Sequence, residues 1–315
     1  MKKILITLTT LLIILVTTDR VFTWFFTNYF FSKTQSGDSG GAVNYLMQKK
    51  KNVDFIILGS SRAKHHINPA LLSNLYNGNG YNAGINGTGG IIYSNMLLQL
   101  LVSKGIKPKM ILLQTDPYPY FIADKDEDVT NELLPLYPFI NESSVLKEFI
   151  NKNTAWTERF KLLFHSYRYN GTFFRVLFNY AKRNSITDNN GFEGLLGKID
   201  TTGFKITGDL NKTYSFSQLK LNTLTDVIQT CRANNIKLAV VFSPAYKNNI
   251  FLKQGYNVLI ELLHKNNVTS IYNFSDIENI PSLQTPDMWR NATHLNSNGA
   301  KEFSRILNDS ISSMK

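Results

Sequence analysis

The stretch that decides the fold is Val53-Asp54-Phe55-Ile56-Ile57-Leu58-Gly59-Ser60-Ser61-Arg62, an apolar run that breaks into a glycine–serine turn. An apolar run this short suits a strand that is buried on both faces of a sheet. The turn suits the start of a helix, where a serine either caps the helix or stands exposed as a nucleophile. The stretch therefore predicts a parallel sheet with a serine at the carboxyl end of one strand.

Short apolar runs alternate with helical stretches on both sides of this turn. The predicted strands cover residues 55–58, 81–85, 110–114, 237–242 and 268–272, and the predicted helices cover residues 69–76, 91–104, 221–234, 252–266 and 298–312. Strands that alternate with helices predict an α/β fold in which helices cover both faces of a parallel sheet, a three-layer α/β/α arrangement.

This alternation fails between residues 117 and 215, where the sequence becomes aromatic and charged. We interpret the segment as a helical insertion, a lid or subdomain of the sheet domain. Its interleaved aromatic and basic residues have two interpretations. They are either the solvated faces of helices whose aromatic rings pack on the core, or a groove for a sugar polymer and its anionic groups.

The N-terminus has the pattern of an export signal. Met1-Lys2-Lys3 is a basic leader, and residues 4–16 are apolar apart from threonines. Because no small-x-small cleavage site follows, we predict an uncleaved signal anchor over residues 1–32 and a flexible linker over residues 33–41. A cleaved signal peptide and a buried core helix are the alternatives. Basic residues at the cytoplasmic end would place the body of the chain, residues 42–315, outside the cytoplasm, in a periplasmic or extracellular position.

The uncharged part of this anchor is short. The stretch before Asp19 falls below the roughly 20 residues that a comfortable membrane span needs. Aromatic residues that would sit well at a membrane interface follow it, namely Trp24, Phe25, Tyr29 and Phe30.

Composition restricts the class of function. The 315 residues carry a formal net charge of +11, which suits a polyanion such as nucleic acid, anionic lipid or acidic polysaccharide. An exported chain without a nucleic-acid recognition motif is not expected to bind nucleic acid. With one cysteine, no zinc-ligand spacing and no phosphate-binding loop, we expect no metal and no nucleotide cofactor.

Two further segments bear on the serine turn. Residues 81–90, Tyr-Asn-Ala-Gly-Ile-Asn-Gly-Thr-Gly-Gly, form a glycine-dense turn where a backbone N–H can approach a ligand closely. Residues 291–296, Asn-Ala-Thr-His-Leu-Asn, place a histidine just before the last helix. A serine nucleophile needs a base to take its proton and N–H donors to hold the oxyanion, and these segments could supply both.

Together the three segments resemble the SGNH (GDSL-like) hydrolase and acyltransferase superfamily. They are most similar to its membrane-anchored, exported members, which are linked to O-acetylation or D-alanylation of cell-surface polymers. The resemblance covers residues 53–116 and 237–312 but not the insertion. It implies a flavodoxin-like sheet in which Ser61 is the nucleophile, Gly87 offers an oxyanion N–H and His294 is the general base. Ser60 stands where the family has an aspartate.

Two positions depart from the family pattern. Asn291 replaces the aspartate that precedes the histidine, and Leu113-Gln114-Thr115-Asp116 lacks the asparagine that donates to the oxyanion. The candidate site is therefore a Ser61–His294 dyad with Asn291, or a backbone carbonyl, as the orienting group. Its candidate oxyanion groups are Ser61, Gly87, Thr115 and Asp116, and Asp287 is a candidate substitute for the missing carboxylate. A weakened or inactive site is the alternative.

Four nearby residues are candidates for binding substrate: Arg62, His65, Asn86 and Ser243. The resemblance implies a serine acyltransferase that O-acetylates a cell-envelope polysaccharide, with an integral membrane O-acyltransferase as a candidate partner. A carbohydrate esterase that uses the same residues is one alternative, because the acyl-enzyme step is common to transfer and hydrolysis. A non-catalytic, polysaccharide-binding scaffold with a degenerate site is the other.

Overall fold

The structure is a computed structural model of the whole chain. It describes residues 1–35, 37–38, 40–48, 53–121, 129–181, 190–201, 215–246 and 250–312. The chain divides into two compact units, of which one comprises residues 1–48 with 128–187 and the other comprises residues 49–127 with 188–315. Each unit is described by itself.

The second unit is built on a parallel sheet of five strands. The strands are β1 Phe55–Leu58, β2 Gly80–Asn82, β3 Met110–Thr115, β4 Lys237–Phe242 and β5 Ile271–Asn273. They are ordered β2-β1-β3-β4-β5, and every neighbouring pair is parallel. This is the strand order of flavodoxin-like sheets, in which ligands bind beyond the carboxyl ends of the strands at the β1/β3 switch point.

Eleven α-helices are found in the described part of the chain. They are α1 Lys2–Tyr29, α2 Gly41–Gln48, α3 Ser61–His66, α4 Ile91–Ser103, α5 Thr130–Leu133, α6 Ser144–Asn153, α7 Trp156–Lys161, α8 Phe173–Ala181, α9 Gln218–Ala233, α10 Ile250–Lys265 and α11 Ser297–Ser312. Short 3-10 turns lie between them at Phe31–Lys33, Pro69–Leu71, Tyr76–Gly78, Tyr118–Tyr120, Leu134–Phe139, Ser166–Tyr169, Ile277–Asn279, Pro281–Leu283 and Pro286–Met288.

Both faces of the sheet are covered. Phe55 and Ile57 of β1 pack with residues of α3 and α11 in one core, which also contains Trp289 and Phe303. The alternate residues of the same strand, Ile56 and Leu58, are fully buried as well. On a pleated strand successive side chains point to opposite faces, so the sheet is shielded on both sides, as the apolar runs predict.

The predicted pattern of strands and helices is confirmed in most places. The runs at residues 55–58 and 237–242 are strands with those bounds. The helix predicted over residues 69–76 is wrong, because the segment forms two 3-10 turns with an irregular stretch between them. Tyr76 and Asn77 have positive φ angles of 45° and 56°, a backbone conformation that ends a right-handed helix.

The other unit is helical and contains most of the predicted insertion. Residues 129–181 form α5–α8, and they belong to one compact unit with α1 and α2. The predicted linker at residues 33–41 leads into α2, whose Asn44 side chain donates to the carbonyls of Phe31 and Thr34. Residues 190–201, at the end of the predicted insertion, belong instead to the sheet unit.

The N-terminal helix has the properties of a membrane anchor. Within the segment Lys2–Lys33, the most apolar stretch of 18 residues has a mean hydropathy of 1.9, and almost none of that stretch is buried inside the protein. Large apolar side chains such as Ile4, Leu8 and Ile13 are more than half exposed. A long apolar helix with exposed side chains indicates a single-pass membrane anchor.

Candidate active site

The serine turn after β1 gives its two serines different surroundings. Ser60 is the N-cap of α3, and its Oγ accepts from the N–H of Arg62 at 3.2 Å. Ser61 is the first residue of the helix and stays half-buried. A serine cap stabilises a helix start by about 1 kcal/mol. The capping role that a serine commonly has in such a turn therefore falls to Ser60, and Ser61 is left for another role.

The side chain of Gln114, near the end of β3, forms hydrogen bonds with this turn. Its Oε1 accepts from the Ser60 hydroxyl at 2.9 Å, from the Ser60 N–H at 3.3 Å and from the Ala63 N–H at 3.1 Å. Its Nε2 donates to Asp116 Oδ2 at 3.3 Å. Backbone N–H groups can only donate, so the amide oxygen must face them. Gln114 is buried and ties the serine turn to the neighbouring strand.

The glycine-dense loop after β2 packs directly on the serine turn. A Cβ on Gly90 would lie 2.5 Å from the carbonyl oxygen of Gly59 and 2.8 Å from the nitrogen of Ser60. Gly90 also has a φ of +74°, which disfavours other residues. A Cβ on Gly84 would lie 2.7 Å from the nitrogen of Lys64. Only glycine lets the two backbones approach this closely.

His294 lies in a short loop whose neighbours are fixed. Trp289 and Leu295 form an isolated antiparallel bridge, and both side chains are fully buried. The carbonyl of His294 accepts from the Arg290 N–H at 2.8 Å. The backbone of the histidine is therefore held by buried residues before and after it.

The residues that follow the histidine start the last helix. Asn296 Oδ1 accepts from the N–H groups of Asn298 and Gly299, and Asn296 Nδ2 donates to the carbonyls of Asp287 and Gly197. A Cβ on Gly299 would lie 2.1 Å from the Met288 carbonyl oxygen. The pattern Leu-Asn-x-x-Gly-Ala thus has a structural explanation, because it closes the histidine loop onto the start of α11.

Serine and histidine meet in the structure. Ser61 Oγ lies 2.8 Å from His294 Nε2, although the two residues are 233 positions apart in the chain. On the other side of the ring, His294 Nδ1 lies 3.1 Å from Asn291 Oδ1 and 3.1 Å from Thr293 Oγ1. The predicted residues Ser61, His294 and Asn291 therefore form one continuous chain of contacts.

The tautomer of His294 follows from these contacts. Asn291 Oδ1 accepts from the backbone N–H groups of Thr293 and His294, both at 2.9 Å, so it is the amide oxygen that faces the ring. The ring nitrogen facing that oxygen, Nδ1, must carry the proton if the two atoms bond. Nε2 then has its lone pair free to accept from the Ser61 hydroxyl. This is the tautomer that a general base requires.

The imidazole is kept neutral. Burial, with the nearby His65 and Arg62, lowers the pKa of His294 from its ordinary value of 6.5 to about 4. Asn291 is uncharged, so it does not oppose this lowering of the His294 pKa. At neutral pH the His294 imidazole therefore carries a single proton, on Nδ1, and its Nε2 is free to accept one.

Two more histidines lie beside it. His65 Nδ1 lies 2.7 Å from the Glu193 carbonyl oxygen, and its ring is edge-on to that of His294 with centroids 5.7 Å apart. His66 is fully buried, and its Nε2 accepts from the Leu295 N–H at 3.1 Å. Burial lowers the pKa of His66 well below its ordinary value. His65, a predicted substrate-binding residue, lies beside His294, whereas His66 supports the histidine loop.

Arg62 is directed into the protein. One of its Nη atoms lies 3.1 Å from Asp116 Oδ2, and the other donates to the carbonyls of Ser243 and Pro244. The guanidinium is buried, as is the side chain of Ser243. The structure thus places Arg62 and Ser243, two predicted substrate-binding residues, beneath the serine turn, where they join β1, β3 and β4.

The predicted oxyanion groups fall into two sets. Thr115 Oγ1 lies 3.1 Å from the Tyr120 hydroxyl, and Asp116 is paired with Arg62. A carboxylate in an ion pair accepts hydrogen bonds and has none to donate. By contrast, the backbone N–H groups of Ser61 and Gly87 have no acceptor in the described part of the chain. Asn86, next to Gly87, has a buried Oδ1 that lacks a partner within the same residues.

Asp287 is placed at the surface. It pairs with Lys198 at 3.5 Å, and both side chains are about three-quarters exposed. The atoms that face His294 Nδ1 belong to Asn291 and Thr293 instead. Across the described residues there is no group of three or more His, Cys, Asp or Glu side chains arranged to hold a metal ion.

Two residues of this site are not identified by sequence reasoning. Gln114 stands out in the sequence only as part of an altered motif, although a buried amide at the end of an apolar strand is a signal that it bonds a nearby turn. Glu193, from the end of the predicted insertion, meets His65 through its backbone carbonyl. A backbone contact of this kind leaves no signal in the sequence.

Comparison with protein-family models gives no match for this chain, and comparison with curated proteins gives none either. The geometry of the site is therefore the basis for assigning a function.

Proposed function

We propose that this chain is a membrane-anchored serine enzyme that transfers an acyl group through Ser61. The observation that carries the proposal is the 2.8 Å contact between Ser61 Oγ and His294 Nε2, with Asn291 Oδ1 behind the ring. A serine hydroxyl becomes a useful nucleophile only when a base is in hydrogen-bond reach and is itself oriented by a third group. This arrangement meets that requirement without a carboxylate.

The proposed reaction has two steps. His294 Nε2 takes the proton of Ser61 while Oγ attacks the carbonyl carbon of an acyl ester, and the N–H groups of Ser61 and Gly87 hold the oxyanion. The tetrahedral intermediate collapses when His294 returns the proton to the leaving oxygen, which gives an acyl-serine. In the second step His294 deprotonates an acceptor hydroxyl, which attacks the acyl-serine. The bond between Oγ and the acyl carbon then breaks as His294 returns the proton to Oγ, which restores Ser61.

The resemblance to the SGNH superfamily supports a polysaccharide of the cell envelope as the acceptor and acetyl as the acyl group. On this proposal the body of the chain lies outside the cytoplasm, with Lys2 and Lys3 on the inner side, in line with the charge rule for membrane proteins. An integral membrane O-acyltransferase would supply the acyl group. A carbohydrate esterase remains the second candidate, because Thr293 and Asn291 are exposed beside the base and leave an open route for water.

Labelling with a fluorophosphonate probe tests the nucleophile. The full-length protein in detergent should react, and Ser61→Ala should abolish the reaction. Ser60→Ala is the matched control, because it removes the neighbouring hydroxyl and costs about 1 kcal/mol of capping while leaving the nucleophile. Wild-type protein that does not react would contradict the proposal and favour a non-catalytic scaffold.

A second experiment separates transfer from hydrolysis. The labile acyl-serine is formed from an activated acetyl ester, and its decay is followed with and without an oligosaccharide acceptor. Faster decay with acetyl appearing on the sugar supports a transferase. Equal rates, with acetate as the only product, identify an esterase.

A further inference from the structure

Asp19 is a charged residue in the apolar helix α1 that is nevertheless fully provided with hydrogen bonds. Its carboxylate accepts from the N–H groups of His165 and Ser166 at 2.8 and 2.9 Å, and from the Ser166 hydroxyl at 2.6 Å. Arg20 beside it donates to the Leu163 carbonyl at 3.3 Å. The loop between α7 and α8 is therefore attached to α1 at Asp19 and Arg20.

The position of Asp19 along α1 determines its depth in the membrane. A helix rises 1.5 Å per residue, so Asp19 lies about 24 Å beyond Lys3, less than the roughly 30 Å thickness of a bilayer's hydrocarbon core. If Lys2 and Lys3 lie at one membrane surface, Asp19 lies near the other, still at the edge of the apolar layer. A bare carboxylate is costly there, and the donors from His165 and Ser166 reduce that cost.

Further contacts between α1 and the rest of the helical unit lie near the C-terminal end of α1. Phe26 stacks on Phe173 with ring centroids 4.8 Å apart and meets Tyr169 edge-on at 4.8 Å. The Thr27 hydroxyl lies 2.5 Å from the Tyr169 hydroxyl. Contacts from Asp19 to Thr27 therefore hold α8 and the preceding turn at the level where α1 leaves the membrane.

The side of this unit around α7 and α8 exposes large apolar groups. Trp156 and Phe160 are one helical turn apart on α7 and are 69% and 56% exposed, and Phe174 on α8 is 81% exposed. A cavity of about 630 Å³ opens beside them, lined by Phe160, Phe164 and Phe174. Lys161 and Arg175 also line it, and Arg175 has no acidic partner among the described residues.

We propose that this aromatic face, defined by Trp156, Phe160, Leu163, Phe174 and Phe178, binds the lipid bilayer that α1 enters. Apolar rings lie among the acyl chains near the headgroups, and Lys161 and Arg175 face the anionic phosphates. Aromatic residues with adjacent cations are typical of proteins that lie in a membrane interface. The insertion thus extends the short anchor sideways, and its donors allow α1 to place Asp19 at the edge of the membrane.

The three tryptophans of the chain allow a direct test. Trp24 is on the anchor, Trp156 is on the aromatic face and Trp289 is fully buried in the sheet unit. Trp24→Phe leaves Trp156 as the accessible reporter, Trp156→Phe leaves Trp24, and the double variant reports Trp289 alone. The full-length variants are reconstituted in vesicles of phosphatidylcholine and phosphatidylglycerol, with or without bromine on the acyl chains. Iodide is added before the vesicles form.

The proposal predicts that brominated lipid removes most of the Trp156 emission and that iodide has little effect on it. Trp24 should behave in the same way, and Trp289 should respond to neither quencher, which also reports correct folding. Quenching of Trp156 by iodide but not by bromine, with Trp24 quenched by bromine, would overturn the proposal. So would a lack of bromine quenching at both positions.

A charge on the face provides a second test. Phe160→Asp on the Trp24→Phe background should reduce the bromine quenching of Trp156, because a carboxylate one turn away resists burial in lipid. Leu196→Asp, at an apolar position in the sheet unit that is even more exposed than Phe160, is the control and should leave the quenching unchanged. Equal quenching in both variants would also count against the proposal.

Discussion

Asn291 orients His294 through an oxygen that the backbone has already fixed in place. Its Oδ1 accepts from the N–H groups of Thr293 and His294 at 2.9 Å and lies 3.1 Å from His294 Nδ1. An aspartate would accept the same hydrogen bonds, and it would add the charge that stabilises an imidazolium. The site therefore has the orientation of a catalytic triad without its electrostatic contribution.

The pH dependence of labelling should reflect this difference. The pKa of His294 is about 4, so the imidazole is almost entirely neutral at pH 7 and becomes protonated as the pH falls through 4. We expect the labelling rate of the wild type to lose its base-dependent part only in that range. Asn291→Asp should raise the pKa and move the acid limb toward neutral pH.

The same variant should be faster at pH 7. Loss of the orienting carboxylate lowers kcat about 10⁴-fold in a serine protease, so its introduction here should raise the rate by about 10-fold or more. Thr293→Val is the control, because it removes the hydroxyl contacts to His294 Nδ1 and Asn291 Oδ1 without adding a charge. A rate at pH 7 that Asn291→Asp leaves unchanged would show that Asn291 does not act through the imidazole.

Gln114→Leu should destabilise the protein by about 2–4 kcal/mol, because it leaves the buried donors of Ser60 and Ala63 without an acceptor. The free energy of unfolding in urea measures this loss. Gln99→Leu on α4 is the matched control, since it removes one half-buried bond, to Thr230 Oγ1. Equal losses in the two variants would refute the role assigned to Gln114.

Arg62→Met should cost about 3–5 kcal/mol, because Asp116 would remain buried without its cation. The double variant Arg62→Met with Asp116→Leu should lose much less than the sum of the single changes. The exposed pair of Lys198 and Asp287 provides the comparison, and Lys198→Met should have almost no effect on unfolding. Additive losses at Arg62 and Asp116 would argue against a coupled buried pair.

Gly90→Ala should abolish probe labelling or folding, because its Cβ would collide with the backbone of Gly59 and Ser60. Gly105 has the same φ of +74°, but a Cβ added to it would have no atom within 4 Å. Gly105→Ala should therefore cost only about 1–2 kcal/mol from backbone strain and leave labelling intact. Similar behaviour of the two variants would show that backbone strain alone, and not the collision, sets the cost.

The sheet is predictable from the sequence because its strands are buried on both faces and carry a strong apolar signal. The bounds of β1 and β4 follow from that signal alone. The segment at residues 69–76 has a helical apolar pattern, but the chain does not follow it. A 3-10 turn with non-helical backbone angles at Asn77 closes the segment instead. The contacts of Gln114 depend on β3 lying next to β1 in the sheet. The apolar pattern of the sequence does not show which strands are neighbours.

The candidate site is predictable in part. The types and order of Ser61 and His294 suggest that they meet, and the structure places them together. Arg62 shows the limit of this reasoning, since a cation beside a nucleophile suggests a ligand contact. The strand ends around it convert it into a buried support instead.

The position of the helical insertion between β3 and β4 affects when Ser61 and His294 can come together. The register between Met110 and Lys237 can form only after the whole insertion has been synthesised and its ends have come together. His294 follows later still, 233 residues after Ser61. During synthesis Ser61 therefore emerges long before His294, and under the proposed function a nascent chain lacks its general base until the segment before the last helix has been made.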